Sequence, residues 1–250
     1  MNKKKIHRII WAITIFLIIF VSFSVYNSIK GNPISAKIAN SKIKAYVNNT
    51  YSGLDLTVSK TRYNFKDSSY NSLVQSKTSQ DTVFMVSYIR GKVTDYYDYE
   101  VANHITTYRR LTDSFQKEIE TILSREFPYT SSILIAAYGK EDSDIDKLTL
   151  DMPFDLNDPP MPASLTVYSI SEEQTYEILS ERLVELKTIM DQHRIPISTY
   201  SLVLEPSDEK NKPAESRLYL FDFPAEKIDS KDLISEIKNH QTAREQEGQK

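Results

Sequence analysis

An uncharged run from Ile9 through Ile29 constrains this chain more than any other feature of its sequence. At 1.5 Å per residue, a helix of about 20 apolar residues crosses the roughly 30 Å hydrocarbon core of a bilayer. The stretch from Ile9 to Tyr26 therefore predicts a transmembrane helix. Four basic residues precede the run and one lysine follows it closely. The positive-inside rule then predicts a cytoplasmic N-terminus and an extracytoplasmic bulk.

A cleaved signal peptide is the alternative, because it also begins with basic residues. Its apolar region is usually about 7–15 residues long and ends at a small-x-small site. Ser22 and Ser24 resemble such a site, but they lie inside the apolar run rather than at its end. We therefore expect an uncleaved, single-pass anchor in the cell membrane. Either alternative exports the bulk of the chain.

Charge is unevenly divided along the chain. Residues 1–30 carry five positive charges and no acid. Because the net charge of the whole chain is −3, residues 31–250 have a net charge of −8. Nucleic-acid binding depends on Lys and Arg against phosphate, so an acidic exported part is a poor candidate for it. The same charge would be repelled by anionic lipid headgroups. Other envelope or membrane proteins are the expected partners.

Residues 31–101 predict a first domain in which one helix precedes several strands. Asn32 as N-cap and Pro33 at the first helical position open the helix, and Gly53 ends it. Strand-like patterns follow at residues 54–65, 70–76, 83–90 and 92–101. This order predicts a four-stranded antiparallel sheet covered on one face by the helix.

Residues 102–245 predict a second α+β domain. The helical patterns lie at residues 102–127, after a capping box of Ser171 and Gln174, and at residues 229–243. The strand patterns lie at residues 132–138, 147–152, 164–170, 197–205 and 217–223. Helix, strand, loop and strand recur in one order, which indicates either an α-β-β duplication or chance recurrence of common patterns. Residues 246–250 predict a disordered tail.

The predicted fold class is therefore α+β. A transmembrane helix at residues 1–30 is followed by two small domains, each an antiparallel sheet covered by helices. The chain has no cysteine, which excludes disulfides and thiolate metal sites.

No catalytic signature is present in the sequence, so we expect neither enzyme activity nor a cofactor. Asp142, Asp144 and Asp146 copy the first three ligand positions of an EF-hand loop. The pattern then fails, because Lys147 occupies the glycine position and Pro153 the bidentate glutamate position. These three aspartates are weak metal candidates, and the loop is expected to be a solvated acidic turn.

Tyr96, Tyr97 and Tyr99 form the densest group among the 16 tyrosines. An exposed aromatic strip would suit a glycan or an extended peptide. In a strand, however, Tyr97 and Tyr99 share one face, opposite Tyr96, so packing in the core is favoured. A sheet edge that accepts a partner's strand is a further binding mode, at an edge that sequence alone does not identify.

Several motifs together point to a known family. They are Gly31-Asn32-Pro33 after the apolar run with the helix that follows, Leu54-Asp55-Leu56, Tyr63-Asn64-Phe65-Lys66-Asp67 and Ser79-Gln80-Asp81-Thr82. The segment that contains them resembles the N-terminal domain of the YfjL-like proteins, uncharacterised membrane-anchored proteins of Gram-positive bacteria. The rest of the chain is similar to that family's second α+β domain. The resemblance implies a two-domain exported protein and supplies no activity or functional residues.

A more distant resemblance rests on the helix-then-strands order and on the segment that runs from Val86 to Val93. These features look like a PepSY-type domain, a class linked to restraint of proteases and to sensing at the cell envelope. Fold-level likeness of this kind is weak evidence of function.

These features predict a non-enzymatic interaction or regulatory module anchored at the cell envelope. One alternative is an envelope hydrolase that uses carboxylates. The other is an ectodomain that senses a cation or another ligand.

Overall fold

The structure, a computed structural model, describes residues 3–139, 142–207 and 217–247. The chain divides into two compact units, residues 1–106 (unit 1) and residues 107–250 (unit 2). The predicted α+β class is confirmed, because a long apolar N-terminal helix precedes two sheets that pack against helices.

Unit 1 contains two helices and a five-stranded antiparallel sheet. The helices are α1 (Lys3–Lys30) and α2 (Pro33–Thr50). The strands are β1 (Leu56–Val58), β2 (Arg62–Asn64), β3 (Ser69–Ser76), β4 (Val83–Ile89) and β5 (Lys92–Asp95). Their order is β1-β3-β4-β5, and β2 also pairs with β3. The sheet has five strands rather than the predicted four, because residues 54–65 form two short strands that each pair with β3.

The start of α2 follows its sequence signal. The Asn32 side chain accepts hydrogen bonds from the backbone N–H groups of Ile34 (2.8 Å) and Ser35 (3.3 Å), so the predicted N-cap is confirmed. One turn later the helix begins to bury Ala39, Ile43 and Val47, at intervals of four residues. Ile43 and Val47 join Val74, Phe84, Val86 and Val101 in the core of unit 1.

The last predicted strand of unit 1 is shorter than expected. Residues 92–101 were predicted as one strand, but β5 ends at Asp95 and Asp98–Ala102 forms a π-helical turn. The side chain of Asp95 accepts from the Tyr97 N–H (3.0 Å), and Glu100 N–H donates to the Tyr96 carbonyl (2.7 Å). These local bonds curl the chain away from the sheet.

Unit 2 is built around a four-stranded sheet of order β6-β7-β8-β9. Its strands are β6 (Ser131–Tyr138), β7 (Ala163–Ser171), β8 (Thr199–Pro206) and β9 (Leu218–Pro224). Its helices are α3 (Ile105–Glu126), the short α4 (Asp142–Ile145), α5 (Tyr176–Gln192) and α6 (Leu233–Glu247). Residues 248–250 of the predicted tail lie outside the described residues.

The sheet of unit 2 is mixed, whereas an antiparallel sheet was predicted. The pairs β6/β7 and β8/β9 are antiparallel, but β7 and β8 run parallel. Helix α5 connects β7 to β8, and a crossover of this kind is what parallel neighbours require.

The strand predicted at residues 147–152 does not form. Lys147 N–H bonds to the Asp144 carbonyl, Met152 N–H bonds to the Thr149 carbonyl, and Asp151 has a φ of +60°. Consecutive turns therefore replace the strand, and β7 pairs with β6 in its place. The order helix, strand, strand still occurs twice in unit 2, first as α3, β6 and β7 and then as α5, β8 and β9. The α-β-β duplication therefore stays a prediction.

The capping box predicted at Ser171 is also wrong. Ser171 ends β7, and Thr175 caps α5 by accepting a hydrogen bond from Ile178 N–H at 3.3 Å. Gln174 instead donates to the Ser171 carbonyl at 2.9 Å.

One face of the unit 2 sheet packs on a continuous core beneath α3 and α5. The strand residues that join this core are Ala136, Tyr138, Ala163, Leu165, Val167, Tyr200, Leu202, Leu204, Leu220 and Phe223. Alternate strand residues point to opposite faces, so the residues between them form a second face of the sheet.

Candidate functional site

The three aspartates proposed as metal candidates lie in or beside α4. Asp144 is buried, and its carboxylate pairs with the ammonium of Lys147 at 2.6 Å. Asp146 is exposed, and the side chain of Asp142 lies outside the described part. Within the described residues, no group of three His, Cys, Asp or Glu side chains is placed to hold a metal ion.

The tyrosine group splits between core and surface. The ring of Tyr97 packs 4.8 Å from that of Tyr51 and 5.2 Å from that of Phe84, while Tyr96 and Tyr99 are exposed. Burial raises the pKa of Tyr51, and a hydrogen bond to the Asp95 carboxylate raises this pKa further. Because residues 98–102 are helical, Tyr97 and Tyr99 do not share a strand face, and the tyrosines form no continuous strip.

The second face of the unit 2 sheet carries large apolar side chains at both of its margins. On β6, Ile133 and Ile135 are 45% and 50% exposed. On β9, Tyr219 and Phe221 are 49% and 38% exposed, and their rings stack with centroids 5.5 Å apart. Apolar surface of this kind is normally buried in a core or against a partner.

Strand register joins Ile133 to Tyr219 through two further side chains, and we call this line of four the apolar row. Its two ends are exposed, whereas Tyr168 is half-buried and Val203 is 3% exposed. Ile133 pairs with Tyr168, Tyr168 pairs with Val203, and Val203 pairs with Tyr219. Paired residues on adjacent strands lie about 5 Å apart, so the row crosses all four strands without a break. None of the four belongs to the core beneath α3 and α5.

Side chains from α3 occupy the outer edge of β6. Gln116 donates to the Leu134 carbonyl at 2.9 Å and accepts from Ala136 N–H, and Tyr108 donates to the Tyr138 carbonyl at 3.0 Å. An unpaired strand edge is a template for an added strand. These bonds take the groups that such a strand would use.

Helix α6 closes the opposite edge in the same way. Gln241 donates to the Tyr219 carbonyl, and Arg244 donates to the Phe221 carbonyl at 2.9 Å. His240 Nε2 lies 2.9 Å from that same Phe221 oxygen. The two edges of the sheet are therefore both engaged by helix side chains, which leaves Ile133 and Tyr219, at the two ends of the apolar row, as its exposed surface.

A buried carboxylate lies near one end of this face. Glu205 is 6% exposed, forms an ion pair with Arg217 at 2.9 Å and accepts a hydrogen bond from Ser132 Oγ. A buried charge is strongly unfavourable unless it is paired, so these bonds tie the end of β8 to its surroundings.

Unit 1 contains a different kind of surface, a groove of about 570 Å³ between α2 and the connection from β1 to β2. Three exposed lysines line it: Lys37 and Lys44 from α2, and Lys60 from the connection. Among the side chains that the structure describes, no carboxylate lies within 4.0 Å of these three ammonium groups. We call this feature the lysine groove.

Polar groups line the groove beside these lysines. Thr61 is 8% exposed, and its hydroxyl lies 3.1 Å from Asn40 Oδ1 and 2.9 Å from the Ser72 hydroxyl. Because Oδ1 accepts from Thr61, the Asn40 amide is oriented and its Nδ2 hydrogens are donors for the groove. Three cations and an amide donor suit an oxyanion.

The helix that begins the chain remains unburied. Within the described residues it is the one helix long and apolar enough to cross a bilayer, with an 18-residue stretch of mean hydropathy 2.1. A membrane anchor and a signal sequence both fit these properties.

Helix α1 is tightly joined to the rest of unit 1. Gly31 has a φ of +75°, and a Cβ atom at this position would lie 2.5 Å from Cγ of Tyr63. The Tyr70 hydroxyl lies 3.0 Å from the backbone nitrogen of Asn32, which donates to it. The ring centroids of Tyr63 and Tyr70 are 5.0 Å apart. These contacts hold the end of α1 against β2 and β3.

Sequence reasoning missed both surfaces, although each left a signal. Residues 132–138 are apolar in both strand phases, and they were interpreted as a buried strand because both faces of such a strand are usually covered. In the structure β6 is an edge strand with one apolar face open. The groove was missed because only the net charge of the whole exported part, which is negative, was considered. Residues 30–66 by themselves contain seven Lys and Arg against one Asp, and this was the signal for a basic surface.

Comparisons with known proteins identify the family. Residues 3–99 match the YfjL-like N-terminal domain, and residues 114–238 match the YfjL-like C-terminal domain. Comparison with the curated proteins gave no match.

A crystal structure of a DUF5037 family protein from Ruminococcus gnavus, at 2.55 Å resolution, is similar over 68% of this chain and 75% of that chain. The sequence identity is 13% and the TM-score 0.22, too low to equate the two folds. The two domain matches together span most of the chain, and on that basis this protein belongs to the YfjL-like family.

Proposed function

We propose that this protein is a membrane-anchored, non-enzymatic interaction module at the cell envelope, which binds a partner protein through the apolar row. The observation that carries the proposal is the contrast between the exposed apolar side chains at both ends of the row and the two closed edges of the same sheet. A partner then packs across the face rather than adding a strand. The non-enzymatic part rests on the sequence, which contains no catalytic motif.

The composition of the apolar row fits a protein partner. Two of its four members, Tyr168 and Tyr219, are tyrosines, and tyrosine is enriched where protein interfaces bury most of their energy. Aromatic and branched aliphatic side chains on a flat sheet also present little conformational entropy to lose on binding.

The proposed topology is a single-pass anchor with the N-terminus in the cytoplasm. It is supported by the four basic residues before the apolar run, against Lys30 after it. Retention of the anchor is supported by the contacts of Gly31 and Asn32 with β2 and β3, which make the end of α1 part of unit 1.

We expect the protein in isolated membranes to keep its whole N-terminus. Intact-mass measurement should give 28.9 kDa, and protease added outside protoplasts should digest unit 2 but leave the N-terminal tip protected. A soluble species that begins after Ser24 would contradict the anchor, and protection of unit 2 from the protease would contradict the orientation.

The interaction itself is tested by photo-crosslinking in intact cells. A benzophenone amino acid at Ile133 and, separately, at Tyr219 should capture the same discrete protein, because both positions lie on the apolar row. Val184 on α5, which is 44% exposed, is the matched control and should capture none. Equal capture at all three positions, or at none, would contradict the proposal.

A charged substitution on the same sheet face provides a second test of the interaction. Ile135→Lys should reduce the adduct at Tyr219 by about tenfold or more, since an unpaired ammonium is costly to bury in an apolar interface. Val184→Lys adds the same charge at a similarly exposed position and should leave the adduct yield unchanged. An undiminished yield in Ile135→Lys would exclude the apolar row as the contact surface.

A further inference from the structure

The exported part of the chain is acidic in total, but its membrane-proximal segment is strongly basic. Residues 30–66 contain seven Lys and Arg and a single acid, Asp55, a net charge of +6. The remaining residues, 67–250, therefore carry a net charge of −13. The lysine groove lies wholly within the basic segment.

The length of α1 brings this segment to the surface of a bilayer. Its 28 residues extend about 42 Å, and a bilayer with its headgroup layers is about 40–45 Å thick. Helix α2 begins three residues after α1 ends, and Lys37 lies about 6 Å along its axis from Pro33. Lys37, at the near end of the groove, therefore lies within about a screening length of the headgroups.

Exposed apolar side chains lie near the groove residues along the chain. Ile34 and Ile38 are 70% and 48% exposed on the adjacent face of α2, one turn apart. Phe65 is 62% exposed and follows β2, the strand that contacts the end of α1 through Tyr63. Apolar side chains beside lysines are the pattern by which a surface enters the headgroup boundary.

We propose that the lysine groove binds the phosphate of an anionic phospholipid from the leaflet in which α1 ends, so that unit 1 is seated on the membrane. The ammonium groups of Lys37, Lys44 and Lys60 neutralise the phosphate, and the oriented amide of Asn40 donates to it. Ile34, Ile38 and Phe65 enter the interface beside the bound headgroup. No covalent chemistry is involved.

This inference rests on the proposed anchor but not on the proposed partner. The full chain is reconstituted in nanodiscs of phosphatidylcholine alone, or of equal parts phosphatidylcholine and phosphatidylglycerol. Recovery of the protein with the discs reports on the anchor, separately from the groove. Hydrogen–deuterium exchange of a peptide that covers residues 58–61 reports on the groove, because these residues form its wall opposite α2.

In discs that contain phosphatidylglycerol, exchange in residues 58–61 should be about tenfold slower than in neutral discs. The variant Lys37→Gln, Lys44→Gln, Lys60→Gln should abolish that difference. All three lysines are exposed and unpaired with acids, so circular dichroism should show an unchanged fold.

The matched control removes three positive charges from unit 1 outside the groove, as Lys42→Gln, Arg90→Gln, Lys92→Gln. It should keep the difference between the two kinds of disc. An equal loss in both triple variants would overturn the proposal in favour of diffuse charge attraction. Equal rates in the two discs for the wild-type chain would also overturn it.

Inorganic phosphate at millimolar concentration separates a lipid site from a site for a soluble anion. Added to the wild-type chain in phosphatidylcholine discs, it should leave exchange in residues 58–61 unchanged. Protection equal to that produced by phosphatidylglycerol would show a soluble-phosphate site and overturn the assignment to a lipid headgroup.

Discussion

Replacing Phe84 by alanine is expected to unfold unit 1 while unit 2 stays folded. Phe84 is fully buried, and its ring centroid lies 5.2 Å from those of both Tyr51 and Tyr97. A buried Phe→Ala substitution costs about 3–5 kcal/mol, through lost burial and the cavity left behind. The whole stability of a domain is about 5–15 kcal/mol.

The small core of unit 1 makes this loss decisive. Phe84 and five other buried residues form this cluster, whereas the core of unit 2 is several times larger and shares no residue with it. Loss of the ring also removes the edge-to-face contacts that Phe84 makes with Tyr51 and with Tyr97, which adds to the burial lost. A unit with so little buried apolar surface lies near the lower end of domain stabilities.

Hydrogen–deuterium exchange of the full chain in detergent micelles measures the effect in each unit separately. Amides of β3 and β4 should lose their protection in Phe84→Ala, and those of β7 and β8 should keep it. Phe65→Ala removes the same side chain where it is 62% exposed, and should change unit 1 stability by less than about 0.5 kcal/mol. Full protection of β3 and β4 in Phe84→Ala would contradict the importance assigned to this core.

Gly31→Ala is expected to destabilise unit 1 by about 3 kcal/mol, the second largest effect. Part of the cost, about 1 kcal/mol, comes from placing a Cβ atom on a residue with a φ of +75°. The larger part is a collision, because the new Cβ would lie 2.5 Å from Cγ and 2.6 Å from Cβ of Tyr63. Overpacking of this kind costs about 1–3 kcal/mol.

The collision should also loosen the junction with α1. Displacement of Tyr63 disturbs its contact with Tyr70, whose hydroxyl accepts from Asn32 N–H. Exchange in the first turn of α2 should therefore rise together with that in β2.

Gly91→Ala is the matched control for this prediction. Gly91 has a φ of +86°, but no atom lies within 4 Å of the position that its Cβ would take. It should therefore show the conformational cost alone, about 1 kcal/mol. Urea denaturation of the two variants in micelles compares these costs, and equal destabilisation would refute the collision.

A double-mutant cycle isolates the contact with Tyr63. In a Tyr63→Gly background the collision is removed, so Gly31→Ala should cost no more than Gly91→Ala does. An unchanged cost in that background would show that Tyr63 is not the residue that excludes a side chain at Gly31.

The features that were predicted correctly depend on neighbours along the chain. Asn32 caps α2 because its acceptor lies two and three residues before the N–H groups that it serves. The antiparallel pairs β3/β4 and β4/β5 of unit 1 follow from short connections between successive strands. Burial along β7 alternates as its sequence does from Ala163 to Val167.

The failures occurred where distant parts of the chain competed with a local pattern. Residues 147–152 alternate like a strand, but two turns form there and β7 takes the place beside β6. Ser171 and Gln174 have the spacing of a capping box, yet β7 extends through Ser171 and moves the cap to Thr175. Local propensity is a weak prior that tertiary context overrides.

An apolar N-terminal helix followed by helices and sheets can be predicted from the chain alone, because hydrophobic periodicity and helix capping act over a few residues. Which apolar side chains of the sheet remain exposed depends instead on how distant strands and helices pack. The apolar row from Ile133 to Tyr219 joins four strands through their register, and helix side chains close both edges. Packing of the same kind also gathers Lys37 and Lys60 into one groove. Both surfaces arise from long-range pairing, which no local pattern encodes.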